Sequence, residues 1–246
     1  MRWLSYLLKC LLGGFLAMQM YFVIQIGLWV VLDPSSTAFQ RAERWRLCGL
    51  SWSCPVQSSW VPYDKISGNL KRAVLVSEDD IFFQHMGVRV EDMQKAWAKN
   101  SQLTQQGGKS KTALRGGSTI TQQLAKNLFL SSEQNYFRKA QELIITGLLE
   151  VMLSKQRLFE IYLNSVEWGE GIFGIGAASQ HYYGVKPAAL DREQAAALAS
   201  ALPAPKCFDK AQYCRKANIH FPTRQDFILE NMDRVALTTT PKTKVR

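Results

Sequence analysis

The chain has 246 residues, 47% of them hydrophobic, and carries 30 Lys+Arg against 20 Asp+Glu for a net charge of +10. That length holds one sizeable core plus an appendage. The basic residues are spread along the chain and no nucleic-acid recognition motif accompanies them, which argues against a nucleic-acid partner and for attraction to anionic lipid and an anionic substrate.

Residues 1–9 carry Arg2 and Lys9, and from Cys10 to Leu32 there is no charged residue. Twenty-three such residues, at about 1.5 Å each, cover roughly 35 Å and suffice to cross a hydrocarbon core of about 30 Å. A cleaved signal peptide is the rival, but the run exceeds the usual apolar region of about 7–15 residues and no small-x-small site precedes Asp33-Pro34. The expectation is a retained transmembrane helix over 10–32. Arg2 and Lys9 before the span and Asp33 after it place the N-terminus in the cytoplasm and the rest outside, although Arg41, Arg44 and Arg46 reduce the asymmetry.

Residues 33–66, rich in Ser, Trp and Pro, read as a linker and membrane-proximal approach, with a brief strand pairing at 59–63. Cys48 and Cys54, and Cys207 and Cys214, form two local pairs outside the span. In an oxidising compartment four cysteines allow three connectivities, of which the two local disulfides are expected. Neither spacing suits zinc, and Cys10, inside the span, reads as inert.

Helical patterning begins near Leu70. It predicts helices near 68–84, 89–100, 119–130, 135–153, 155–164, 174–183, 191–201 and 223–238, the last ending a domain over 67–238. Gly184 followed by Pro187 is a stop, and Asp191 with Gln194 caps the next helix. Residues 99–115 read as a mobile loop. Its Gly108-Lys109-Ser110 is not a phosphate-binding P-loop, because position 103 is Leu where that motif needs Gly. The tail 239–246 is basic and expected to be disordered.

The run from Arg115 to Asn127 carries the most chemistry. Gly116 and Gly117 allow close approach of the backbone to a ligand, and a helix start offers free N–H groups to an anion. Thr119 with Gln122 fits a capping box. Ile120, Leu124 and Leu128 fall on a core face, while Gln122 and Lys126 share another. Upstream, Glu78-Asp79-Asp80 beside Phe82-Phe83 is an acidic cluster in an apolar setting, which can raise a carboxylate's pKa and suit it to proton transfer. A helix cap with solvated neighbours is the plainer account, and His85 alone is more often structural. Arg138 and Glu142 share a helix face at i, i+4, ordinarily a surface pair of about 0.3–0.5 kcal/mol. Tyr162-Leu163-Asn164 precedes glycines at 169, 171, 174 and 176, which suggest a close turn against a helix.

Taken in order, Glu78-Asp79-x-x-Phe82-x-x-His85-x-Gly87, Gly116 to Asn127, Arg138-Lys139-x-x-Glu142 and Tyr162-Leu163-Asn164 resemble the peptidoglycan glycosyltransferase family, and Ala201-Leu202-Pro203-Ala204-Pro205 looks like its last motif. The likeness covers roughly residues 65–235, and the length matches the family's monofunctional biosynthetic branch, without a transpeptidase domain. It implies a mainly α, lysozyme-like domain preceded by a single transmembrane helix, with its catalytic part on the periplasmic side of the inner membrane. The implied substrates are lipid II and the growing β-1,4 glycan strand, with undecaprenyl pyrophosphate released. Membrane lipid is a further partner, and other cell-wall synthesis proteins are admitted as partners.

The resemblance makes Glu78 the general base on the acceptor 4-hydroxyl and Glu142 the second acid, acting on the donor pyrophosphate directly or through a divalent metal (Mg or Mn). Lys126 becomes the cation that stabilises the leaving group. Gln122, Gln123, Ser118, Arg138 and Lys139 are placed along the donor cleft, and Thr119, His85 and Asn164, from the same motifs, complete the substrate-binding set. Inversion implies a spacing between Glu78 and Glu142 beyond the roughly 5–5.5 Å of retaining glycosidases. Two departures stand out: Gln134 occupies a position where many relatives have arginine, and the loop before Arg115 is longer than usual. A non-catalytic membrane-anchored scaffold and a lytic glycan-cleaving enzyme of the same fold class are the alternatives.

Overall fold

The computed structural model describes residues 2–49, 51, 54–89, 118–131, 133, 135–216 and 219–238. The expected helix 89–100 (beyond Arg89), the loop 99–115, Gly116, Gly117, Gln134 and the tail 239–246 lie outside the described residues.

The chain opens with α1 (Arg2–Leu28), whose stretch Trp3–Leu28 has a mean hydropathy of 1.8 and is long and apolar enough to cross a membrane. This helix starts and ends earlier than the uncharged run 10–32. Nothing in residues 2–9 breaks a helix, and the chain turns at Trp29–Val31 ahead of Asp33-Pro34. The last turns of α1 join the domain core, where Phe22, Ile26 and Trp29 are buried. Phe22 meets Phe129 edge to face at 5.0 Å and Trp29 lies tilted against it at 5.1 Å. Deeper along the helix, Gln19 and Gln141 exchange side-chain amide hydrogen bonds at 3.1 and 3.2 Å. Arg157 closes the helix end, donating to the Trp29 and Leu32 carbonyls and to Asp33 Oδ1 at 2.9, 2.6 and 2.8 Å. A cation at a helix C-terminus is favoured by the helix dipole.

The expected approach region holds a helix, α2 (Ala38–Cys48), started by a capping box between Thr37 and Gln40. Disulfides join Cys48 to Cys54 and Cys207 to Cys214. Helices α3 (Gly68–Glu78), α4 (Ile120–Phe129), α5 (Tyr136–Met152), α6 (Lys155–Ser165), α7 (Gly174–Tyr183), α8 (Arg192–Ala201), α9 (Pro205–Asp209) and α10 (Phe221–Asn231) follow. Three short strands, β1 (Gln57–Ser58), β2 (Glu167–Gly169) and β3 (Ile172–Phe173), form a sheet ordered β1-β3-β2, with β1 parallel and β2 antiparallel to β3. The whole is mainly α and lysozyme-like, with the membrane-type helix in front.

Most predicted helices fall within two residues of their observed bounds, because their starts are capped locally by Thr119, Asn135, Ser154 and Asp191. The helix expected over 68–84 stops at Glu78, with only a 3-10 turn at Phe82–Gln84 beyond. That expected over 223–238 occupies Phe221–Asn231, with a 3-10 turn at Met232–Arg234. Strand pairing comes at Gln57–Ser58 instead of 59–63. Val61 is held by a side chain: Asn164 Oδ1 accepts its N–H at 2.8 Å and Asn164 Nδ2 donates to its carbonyl at 2.9 Å. Leu70, Val74, Leu75 and Phe82 pack with Leu124, Ile145, Leu149, Phe159, Tyr162 and Trp168 in one fully buried core.

Away from that core, Lys206 bridges Glu43 at 2.7 Å and Glu167 at 3.5 Å beside a cavity of about 310 Å³ that also touches Pro205 and Tyr213. Burial pushes the Glu167 carboxyl up to about 7 from its ordinary 4.5; Lys206 opposes this and Glu43 adds to it. The folded chain therefore binds more protons at Glu167 than the unfolded chain does between those two values. The contribution is fully favourable below the unfolded value and is lost as pH rises through about 7. Thermal unfolding of wild type and Glu167→Gln across about pH 4–8 should reveal a pH-dependent loss on the order of 2 kcal/mol that the variant lacks. Parallel curves for the two proteins would rule it out.

Candidate active site

Glu78 is the last residue of α3, and the next residue explains why the helix ends there. Asp79, 2% exposed, turns its carboxylate toward α4 and accepts the N–H of Ile120 at 3.1 Å, the first residue of that helix. Both its oxygens also lie 2.9 Å from His85 Nε2. Gly87 N–H donates to His85 Nδ1 at 3.1 Å, so the ring donates from Nε2. Thr119 caps α4 in a full box with Gln122, and its hydroxyl donates to the Gly87 carbonyl at 2.5 Å. Carboxylates near a helix N-terminus are stabilised by its free N–H groups and dipole. This knot fixes the end of α3 against the start of α4.

Two turns of α4 then present polar groups to Glu78 and beyond. Gln123 Nε2 donates to Glu78 Oε2 at 2.9 Å and, more weakly, to the Ser118 carbonyl at 3.4 Å. The Gln123 amide is itself oriented by the buried Tyr162 hydroxyl, which donates to its Oε1 at 3.0 Å. Burial, with Glu78 and Asp79 nearby, raises the Tyr162 pKa well above its usual value, so this phenol remains a donor. On the other side of the carboxylate, Ser77 Oγ donates to Glu78 Oε1 at 2.8 Å. Arg224 of α10 reaches the same oxygen at 3.4 Å.

One turn on, Lys126 lies 5.6 Å above the Phe39 ring of α2 and has no carboxylate in contact among the described residues. Burial lowers its pKa; Glu142 opposes this, Arg138 and Lys139 add to it, and Glu78 weakly opposes it. Glu142 of α5, 3% exposed, accepts from Arg138 Nη1 at 2.9 Å and is also hydrogen-bonded by Lys139. Two cations pair with one carboxylate and a third lies within its electrostatic reach, leaving an excess of positive charge on this side of the site. Such a set can hold the oxygens of an anionic leaving group.

The sequence motifs therefore divide in space. Glu78, Gln123, Lys126, Arg138, Lys139 and Glu142 share one electrostatic neighbourhood, with the Ser118 carbonyl at its edge. His85, Thr119 and Asn164, expected to touch substrate, spend their polar groups inside the protein. Gln122, 1% exposed, gives its Oε1 to Thr119 N–H, while its Nε2 has no partner among the described residues. Arg224 lies 146 residues from its partner and in no recognisable motif, so no sequence signal marks it.

A protein-held divalent metal does not fit the donor set. Both Glu142 oxygens already have cationic partners, and no three His, Cys, Asp or Glu side chains converge among the described residues. Lys126, Arg138 and Lys139 are the cations that the described residues bring to this site.

The knot has its own test. Asp79→Asn replaces one acceptor oxygen with a donor facing either Ile120 N–H or His85. The expected cost is about 1–3 kcal/mol of stability, read as a lower thermal midpoint together with faster hydrogen exchange at the Ile120 amide. Unchanged exchange there would show that another group caps α4.

A transglycosylase family model matches residues 50–233. The biosynthetic peptidoglycan transglycosylase of Cupriavidus metallidurans is 58% identical over 238 residues, covering 96% of this chain and 99% of that protein. Its counterpart in Ralstonia nicotianae is 51% identical over the same shares, and that of Burkholderia thailandensis 52% identical over 85% of this chain and 78% of its own. The chain belongs to the transglycosylase family and is a glycosyltransferase.

Proposed function

We propose that this enzyme polymerises lipid II into β-1,4 glycan strands of peptidoglycan, releasing undecaprenyl pyrophosphate. The observation that carries the reading is Lys126, with no carboxylate in contact among the described residues yet within electrostatic reach of both Glu142 and Glu78, at the cationic end of a site whose other end holds a hydrogen-bonded carboxylate. Displacing pyrophosphate at a sugar carbon needs a base for the incoming hydroxyl and positive charge on the departing oxygens. Glu78 takes the proton from the acceptor 4-hydroxyl. Lys126 and Arg138 hold the pyrophosphate, and Lys139 with Glu142 keeps Arg138 in place. Direct displacement inverts the anomeric carbon and forms no glycosyl-enzyme.

The anchor serves the same chemistry. A lipid-linked substrate is confined to the bilayer surface, and a tethered enzyme meets it at high effective concentration. With Arg2 and Lys9 cytoplasmic, α1 crosses the inner membrane and the catalytic domain faces the periplasm. Tyr136 and Phe137, 95% and 90% exposed at the start of α5, contact lipid beside the anchor.

The test is incubation of the full chain, in detergent or vesicles, with labelled lipid II and separation of products by size. Wild type should yield long glycan, with losses of roughly 10²-fold or more for Glu78→Gln and for Lys126→Met. Polymer from Glu78→Gln at the wild-type rate would dismiss that residue as base. Folded wild type that makes no polymer would leave a scaffold as the better account.

A further inference from the structure

Glu78 is a long, flexible side chain at the end of a helix, yet both of its oxygens have fixed partners. Gln123 holds Oε2. The Oε1 side depends on Arg224, which arrives from α10, 146 residues away and outside every motif of the cleft. The Arg224 guanidinium is bonded less to Glu78 than to Ser77. Nη2 donates to Ser77 Oγ at 2.8 Å and to the Ser77 carbonyl at 3.3 Å, against 3.4 Å to Glu78 Oε1. Ser77 Oγ has one hydrogen and two acceptors within reach, Glu78 Oε1 at 2.8 Å and the Ala199 carbonyl at 3.0 Å. By occupying a lone pair of that oxygen, Arg224 makes the serine a donor and aligns it between these two acceptors.

We propose that Arg224, acting through Ser77, is a positioning residue for Glu78: it aims the carboxylate at the acceptor hydroxyl. The inference rests on the reading of Glu78 as general base. The guanidinium supplies positive charge beside the carboxylate without sealing it in a short two-pronged ion pair, so Oε2, which accepts from Gln123, keeps a lone pair for the incoming proton. Glu78 is 11% exposed and Arg224 34%, so the pair lies at the cleft wall, open to an acceptor. The Arg224 Nε is buried without a partner among the described residues. A guanidinium that leaves one N–H unsatisfied while turning Nη2 toward Ser77 and Glu78 is placed for that contact at some cost to itself.

Arg224→Met keeps the length and apolar stem and removes the charge. Polymerisation of lipid II by the full chain should lose roughly 10²-fold in kcat, the scale of a misplaced catalytic group, with KM for lipid II within about twofold of wild type. Arg224→Lys restores charge without the fork and should recover part of the loss. Ser77→Ala should fall in the same direction as Arg224→Met. The deciding measurement is made in the Glu78→Gln background, where adding Arg224→Met should lower the residual rate no further, since the group it positions is gone. A further drop there, or a raised KM with unchanged kcat, would overturn the positioning role and assign Arg224 to folding or substrate contact. Wild-type kcat in Arg224→Met with Glu78→Gln inactive would sink the clamp alone. An active Glu78→Gln would sink the general-base reading beneath it.

Discussion

The carboxylate of Asp79 is shared between the end of one helix and the beginning of another, and the geometry of the cleft follows from that sharing. It is buried, lies against His85 Nε2 with both oxygens, and accepts the first N–H of α4. A buried charge deprived of its partners costs several kcal/mol, so the two helix ends are held together firmly. Because Glu78 is the adjacent residue, its side chain is delivered to Gln123 by chain connectivity. One more turn of α4 brings Lys126 into place. The side chains around Glu78 and Lys126 are spaced by a few ångströms through the regularity of a helix whose start has been pinned.

The second ordering element is α5, which faces two ways. Its first turns carry Arg138, Lys139 and Glu142 into the cleft, while Gln141 and Met152 lie against the N-terminal helix. Gln19 and Gln141 satisfy each other's amides, a pairing that fixes register between helices better than apolar contact does. The cationic side of the site is therefore mounted on the same helix that seats the membrane-type segment. The N-terminal helix and the candidate site are parts of one packed body, connected through α5 and Phe129 as well as along the chain.

Local signals were the legible ones. The capping boxes at Thr119/Gln122 and Asp191/Gln194 act within one turn, so spacing alone revealed both helix starts, and the short cysteine intervals revealed both disulfides. The Thr37/Gln40 box is the same signal, hidden among Ser, Pro and Trp residues without helical periodicity, and α2 was missed for that reason. Motif membership told which residues gather near the cleft but not which way each one faces. His85 and Asn164, expected on substrate, hold Asp79 and Val61 in the structure. Residues 59–63 were read as pairing through backbone, whereas an asparagine side chain performs that pairing at Val61. Arg224 could not be read at all, since its significance is a through-space contact between chain ends.

The burial of Phe22, Ile26 and Trp29 in the domain core bears on how the protein is made. Synthesis runs from the N-terminus, so α1 is made before any of α4 or α5 has left the ribosome. Part of the domain's core is thus already present when its partners arrive. Phe129 and Gln141 then dock on a helix formed before them. A domain released without its first helix would have to fold around the apolar face that helix leaves behind.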